Sequence, residues 1–148
     1  MKSFKYILIY TVLFILSFAC TTEEVEEYNP TIIEFIIECG WCSGKEYIKV
    51  LRTKIDYELQ IPCGDNIGFK EKSKNLSPDQ WNEILDSYEF STFKNISINE
   101  CHGCDEEISI SQDKELHVIR YEIEKNIAGI EDLQKILNKL LIELREQN

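Results

Sequence analysis

The chain has 148 residues and a mass of 17.4 kDa, enough for one domain of ordinary size. Apolar residues make up 43% and aromatic residues 11%, so a packed core can form and generic disorder is excluded. With 27 acidic against 16 basic residues the net charge is −11. That excludes non-specific nucleic-acid binding, which needs a basic face to neutralise phosphates.

Lys2 and Lys5 form a short basic front, and Tyr6 to Ala19 follow with no charge and no proline. These 14 residues fall short of the roughly 20 needed to span a bilayer as a helix, and match the apolar core of a secretory signal. Cys20 comes next, behind Leu16-Ser17-Phe18-Ala19. The segment resembles a bacterial lipoprotein signal. Small Ala19 before Cys20 fits the lipobox, while the usual leucine three places before the cysteine is Ser17 here, with Leu16 one place further back, a looseness found in Bacteroidetes. The resemblance implies cleavage before Cys20, acylation of its thiol, and residence in the bacterial cell envelope, lipid-anchored at the outer membrane. An ordinary secretory peptide followed by a chance cysteine is the plainer alternative.

Thr21 to Glu27 carries four glutamates and no basic residue, the composition of a solvated tether. It also resembles the acidic tags that direct Bacteroidetes lipoproteins to the outer face of the outer membrane. The division expected is residues 1–19 as signal peptide, 20–30 as lipidated acidic tether and 31–148 as one domain. Cutting before Cys20 removes two lysines and no acid, so the net charge deepens from −11 to −13. Such a surface repels anionic lipid headgroups, so membrane attachment would rest on lipid at Cys20.

Asn29-Pro30 punctuates the end of the tether. Thr31 to Glu38 is rich in β-branched and aromatic residues and predicts a strand, and Cys39 to Gly44 a turn. Lys54 to Ile61 alternates polar and apolar residues as a half-buried strand does. Ile48 and Val50 also sit two apart, which favours a hairpin turning near Arg52-Thr53 over a helix in residues 45–51. Pro62 to Asn75 reads as a loop. Residues 76–88 then give a clear helix start: Ser77 as N-cap, Pro78 in the first helical position, Gln80 completing a capping box, and Leu76 placed to staple to Trp81. Trp81, Ile84, Leu85 and Tyr88 share one face. After Cys101-His-Gly-Cys104 come two short strands, Glu107–Ser111 and Leu116–Ile123, joined at Gln112-Asp113-Lys114. A final helix spans about Ile130 to Glu146 with a leucine-rich stripe, Glu131 and Asp132 near its start and Arg145 near its end, as the helix dipole favours.

The expected fold is therefore α+β: an antiparallel sheet of about five strands with two helices on one face, in the order βββαββα. This layout resembles small lipoproteins of Bacteroidetes classed as a domain of unknown function. The resemblance is carried by Cys39/Cys42, Ser77–Trp81, Cys101/Cys104 and Ile130–Leu144, covers roughly residues 31–146, and implies no particular activity.

Behind Cys20 the chain holds Cys39, Cys42, Cys63, Cys101 and Cys104. Four of these form two Cys-x-x-Cys pairs, and three chemistries suit them. Export implies an oxidising compartment and structural disulfides. Five cysteines then allow two bridges and a spare thiol in fifteen ways, from five choices of spare and three pairings of the rest. A bridge between the two turns would close a loop of about 60 residues and stabilise by roughly 4 kcal/mol, with Cys63 the spare or a replacement partner. Cys39, Cys42, Cys101 and Cys104 would alternatively supply four thiolates to a closed structural zinc site, with His102 able to replace one. Cys39-Gly-Trp-Cys42 also looks superficially like a thioredoxin active site. That chemistry needs its first cysteine at a helix N-terminus, whereas the residues that follow read as strand.

Other candidates read more simply as structure. His117 falls in a strand, Asp105, Glu106 and Glu107 lack EF-hand spacing for calcium, and Trp41 suits packing over a disulfide. No nucleophile triad, P-loop or dinucleotide loop is present. The sequence thus predicts a non-enzymatic, envelope-anchored binding module with disulfide-stabilised turns, zinc being the one cofactor its cysteines would suit. Its acidic surface suits a protein partner with a basic surface.

Overall fold

The computed structural model describes residues 30–40, 44–63, 68–100 and 103–147. Six strands run in chain order: β1 (Ile32–Cys39), β2 (Gly44–Leu51), β3 (Lys54–Ile61), β4 (Gly68–Asn75), β5 (Cys104–Gln112) and β6 (Glu115–Glu122). Between β4 and β5 lie α1 (Pro78–Asp86) and the single turn α2 (Phe90–Phe93), and α3 (Glu131–Glu146) follows β6. All strand pairings are antiparallel, in the spatial order β4-β3-β2-β1-β5-β6. The long-range step is the β1–β5 pairing, which places the C-terminal hairpin beside the first strand.

The expected α+β arrangement of about five strands and two helices in the order βββαββα is corrected. The order is ββββααββα, mostly sheet, with three helices. The additional strand, β4, falls where the sequence reads as a loop. Its sequence Gly-Phe-Lys-Glu-Lys-Ser-Lys-Asn offers no apolar row, because β4 is an edge strand and largely exposed. Lysine on an edge strand also discourages pairing with a further chain. Lys72 donates to the carbonyls of Leu144 (2.8 Å) and Arg145 (3.3 Å) and also to that of Gln147, capping the end of α3. Lys74 pairs with Glu143 at 2.7 Å. A row of lysines thus does at the sheet margin what apolar residues do at its centre.

Alternation along the strands puts one row of side chains against the helices. Ile33 and Phe35 of β1, Ile48 and Val50 of β2, Ile55 and Tyr57 of β3, and Ile108 and Ile110 of β5 are buried. They form one cluster with Trp81 and Ile84 of α1 and with Leu133, Leu137, Leu141 and Leu144 of α3. α1 begins as its sequence predicts: Gln80 N–H donates to Ser77 Oγ (3.2 Å), Ser77 N–H donates to Gln80 Oε1 (3.0 Å), and Pro78 opens the helix. Leu76 and Trp81 are both buried, as a staple requires. The β5–β6 turn places Asp113 and Lys114 at φ 52° and 67°, the left-handed pair of a tight type I′ hairpin turn.

Candidate functional site

Strand direction gathers the cysteine-bearing segments at one end of the sheet. β1 ends there at Cys39, β5 begins there at Cys104, and Cys63 lies just past the end of β3. Cys39 and Cys104 are register partners in the two central strands, with Cα atoms 4.0 Å apart, and are joined by a disulfide. The ladder continues one step further, with Gly40 N–H donating to the Gly103 carbonyl at 2.7 Å. That step makes Cys39 and Cys104 the narrow, non-hydrogen-bonded pair, whose side chains approach most closely.

The bridge spans 65 residues, and the chain-entropy account gives such a closure about 4 kcal/mol of stabilisation. It also fastens the first strand to the C-terminal hairpin, the one sheet pairing that local sequence does not enforce. Cys63 is disulfide-bonded as well, so of the two roles the sequence leaves it, spare thiol or replacement partner, it takes the second, and its partner lies outside the described residues. Cys20, Cys42, Cys101, His102 and Trp41 also lie outside them.

With Cys39 bonded to Cys104, two of the four sulfurs of the expected zinc set are spent on each other, and Cys39 is not bonded to Cys42 as a thioredoxin-like pair would be. Among the described residues, no group of three or more His, Cys, Asp or Glu side chains converges as metal ligands would. β2 opens at Gly44, where φ is +98° and a Cβ would meet the Gln60 carbonyl oxygen at 2.6 Å, so glycine is required there. A cleft of about 310 Å³ borders the bridge, lined in part by Glu38, Lys45, Gln60 and Pro62.

The acidic run at the start of β5 splits between the two faces of the sheet. Asp105 points to the face opposite the helices, is 2% exposed, and accepts from Arg120 Nε (3.2 Å) and Nη2 (3.1 Å). Glu38 approaches the same guanidinium at 3.7 Å. Glu106 points inward and is 3% exposed. Burial pushes its carboxyl above the usual 4.5; Tyr121 and the Glu124 N–H draw it back, and the Glu124 charge pushes it further up. The Tyr121 hydroxyl is buried against Glu106 and Gln134 without reaching hydrogen-bond geometry with either, and burial raises its pKa further than any neighbour does. Gln134 is committed to backbone: its amide donates to the Lys125 carbonyl and accepts from Ile127 N–H, both at 2.9 Å. Consecutive carboxylates on opposite faces do not form a calcium cage.

His117 Nε2 lies 2.8 Å from the Ile96 carbonyl, and its ring meets Phe93 edge-on at 5.2 Å, so it serves as a packing residue. The segment around it also shields the sheet margin. Arg120 N–H donates to the Ile98 carbonyl and Glu100 N–H to the Arg120 carbonyl, covering part of the outer edge of β6.

The face of the sheet away from the helices carries paired charges. Glu34 accepts from Tyr47 (2.7 Å) and Ser109 (3.2 Å) and pairs with Lys49 (3.1 Å). Burial alone would raise its pKa, but these partners outweigh burial and hold it below the usual carboxylate range. Asp56 is held low chiefly by Lys54, with Ser73 adding a hydrogen bond. No arrangement of nucleophile, base and oxyanion donors is assembled among the described residues of this face. What stands out is a rigid, charged, cross-linked platform.

The chain matches no protein-family model and no curated protein. The functional reading rests on its own residues.

Proposed function

We propose that this protein is an envelope lipoprotein whose sheet domain is a non-enzymatic binding module. Residues 1–19 would be removed as a signal, Cys20 would carry lipid, and the acidic segment to residue 30 would tether the domain to the outer membrane. The observation that carries this reading is the Cys39–Cys104 disulfide, supported by the second bridge at Cys63. Disulfides that brace a fold persist in oxidising compartments, and the Tyr6–Ala19 segment ahead of Cys20 gives a route to one. The acidic composition suits a protein partner with a basic surface. Among the described residues no helix is long and apolar enough to cross a membrane, so attachment in this reading falls to the lipid.

The test is metabolic labelling with an alkyne fatty acid, followed by membrane fractionation of the wild type and Cys20→Ser. The expected result is a labelled, membrane-bound wild type and an unlabelled variant released from the membrane. A variant that stays membrane-bound, or a wild type that takes no label, would end the lipoprotein reading.

A further inference from the structure

We infer that the cleft between the β2–β3 turn and the start of α1 docks the segment just ahead of β1, with Tyr28 in its apolar part and Glu27 on Arg52. The docking needs no lipid at Cys20; only its bearing on how the domain sits at a membrane rests on the lipoprotein reading. The cleft encloses about 640 Å³ and is lined by Arg52 and Thr53 of the turn, Leu76 just ahead of α1, and Pro78, Trp81 and Asn82 of α1. Leu76 N–H donates to the Thr53 carbonyl at 2.9 Å, which fixes turn and helix against each other. Here the apolar core comes to the surface: Leu76 and Trp81 keep 6% and 7% of their area in water, and Pro78 beside them is exposed.

Two observations name the occupant. The first is where the chain enters the sheet. Ile33 pairs with Val50, so the β1–β2 register carried two steps further puts Thr31 beside Arg52. Tyr28 lies outside the described residues but only three places ahead of Thr31, and each residue reaches at most about 3.5 Å, so it joins the domain within range of this cleft. The second is charge. Of the chain's three arginines, Arg120 pairs with Asp105 and Arg145 with Glu46. Arg52 has no carboxylate partner among the described residues, and Lys54 beside it is taken by Asp56 at 2.7 Å. The segment that enters here carries Glu26 and Glu27 directly before Tyr28.

A tyrosine ring offers a flat apolar body to Pro78 and the accessible margin of Trp81, and leaves its hydroxyl in water. The ion pair of Glu27 with Arg52 adds little by itself, as exposed pairs do. Covalent attachment close to β1 supplies what the contacts lack, because it holds the segment at a high effective concentration. An acidic segment of another protein would bring the same groups without that advantage, against a net charge of −11. Docking shortens the free length of the tether. In the lipoprotein reading it also sets the domain's orientation: the start of β1 sits toward the membrane, and the Cys39–Cys104 end is presented outward, about 25 Å along the strand.

The test uses the full-length chain, expressed with its signal and extracted in mild detergent, with the photo-cross-linker p-benzoylphenylalanine in place of Tyr28. Irradiation, digestion and mass spectrometry are expected to join position 28 to the peptide carrying residues 76–82 of the same chain. Arg52→Glu is expected to cut the yield of that cross-link about fivefold, with an unchanged melting temperature because Arg52 is exposed at a turn. Adding Glu27→Lys to Arg52→Glu is expected to restore the yield. Cross-links scattered over the domain, cross-links to a second copy or to another protein, or a yield indifferent to Arg52→Glu would each overturn the proposal. Fatty-acid labelling at Cys20 reads the anchor and the cross-link reads the cleft, so each proposal can fail without the other.

Discussion

On the face that carries α1 and α3, the sheet presents Ile33, Phe35, Ile48, Val50, Ile108 and Ile110, all essentially inaccessible to water. One residue along the same strands, the opposite face presents Glu34, Tyr47, Lys49, Asp56 and Arg120. Both faces are ordered, by different means. The covered face is held by apolar burial, which is non-directional and sums over area. On the open face the carboxylates that lose water find specific donors: half-buried Glu34 has three partners, and buried Asp105 takes two hydrogen bonds from one guanidinium. The open face is therefore a polar surface fixed in place, which suits recognition. The disulfide joins the middle strands that both faces share.

The comparison breaks most readily on the covered side. Leu137, 0% exposed at the centre of α3, should cost about 3 kcal/mol when changed to alanine, read as a lowered midpoint in urea unfolding. On the open side, Arg120→Ala should cost about 2 kcal/mol, because it removes two charge-assisted hydrogen bonds from the buried Asp105 carboxylate. Pairing Arg120→Ala with Asp105→Asn should recover part of that loss, and a double-mutant cycle would show it.

The smallest effect has the opposite sign. Glu106 is a carboxyl on the apolar face, and its folded-state pKa lies above the ordinary value. The unfolded chain therefore releases this proton first as pH rises. The stability tied to Glu106 is fully present below its ordinary value of 4.5 and is lost as pH climbs through the folded-state value. Glu106→Gln should be more stable than wild type at neutral pH and should flatten the pH dependence of melting above 4.5. A variant that melts lower at pH 7 would mean that the ionised form of Glu106 is favoured by the fold.

Much of the covered face was legible in the sequence. The alternation from Lys54 to Ile61, the Ser77–Gln80 capping box and the leucine stripe of α3 all formed where their periodicity predicts. These signals are local, set by period and by hydrogen bonds within a few residues. β4 has no apolar alternation to mark it as a strand. Lys70, Lys72 and Lys74 do recur at period two, and that basic alternation was the available clue.

Of the cysteine site, the clustering of paired cysteines was legible, but the pairing was not. The Cys39–Cys104 bond follows from the register of β1 against β5, a contact made across 65 residues that no local pattern encodes. The splitting of Asp105 and Glu106 between two faces also depends on where β5 begins. The sequence places that strand at Glu107, three residues late, and so leaves both carboxylates ahead of it, with no face assigned.

The Cys39–Cys104 bond between the middle strands braces the sheet, and the proposed export of this domain rests on it. The measurement that tests it most directly is disulfide mapping by mass spectrometry of the protein isolated from the cell envelope, alkylated at once and digested without reductant. The account predicts one cross-linked species joining the peptide that contains Cys39 to the peptide that contains Cys104. A Cys39–Cys42 bond, or free alkylated thiols at Cys39 and Cys104 with zinc in the native protein, would contradict it.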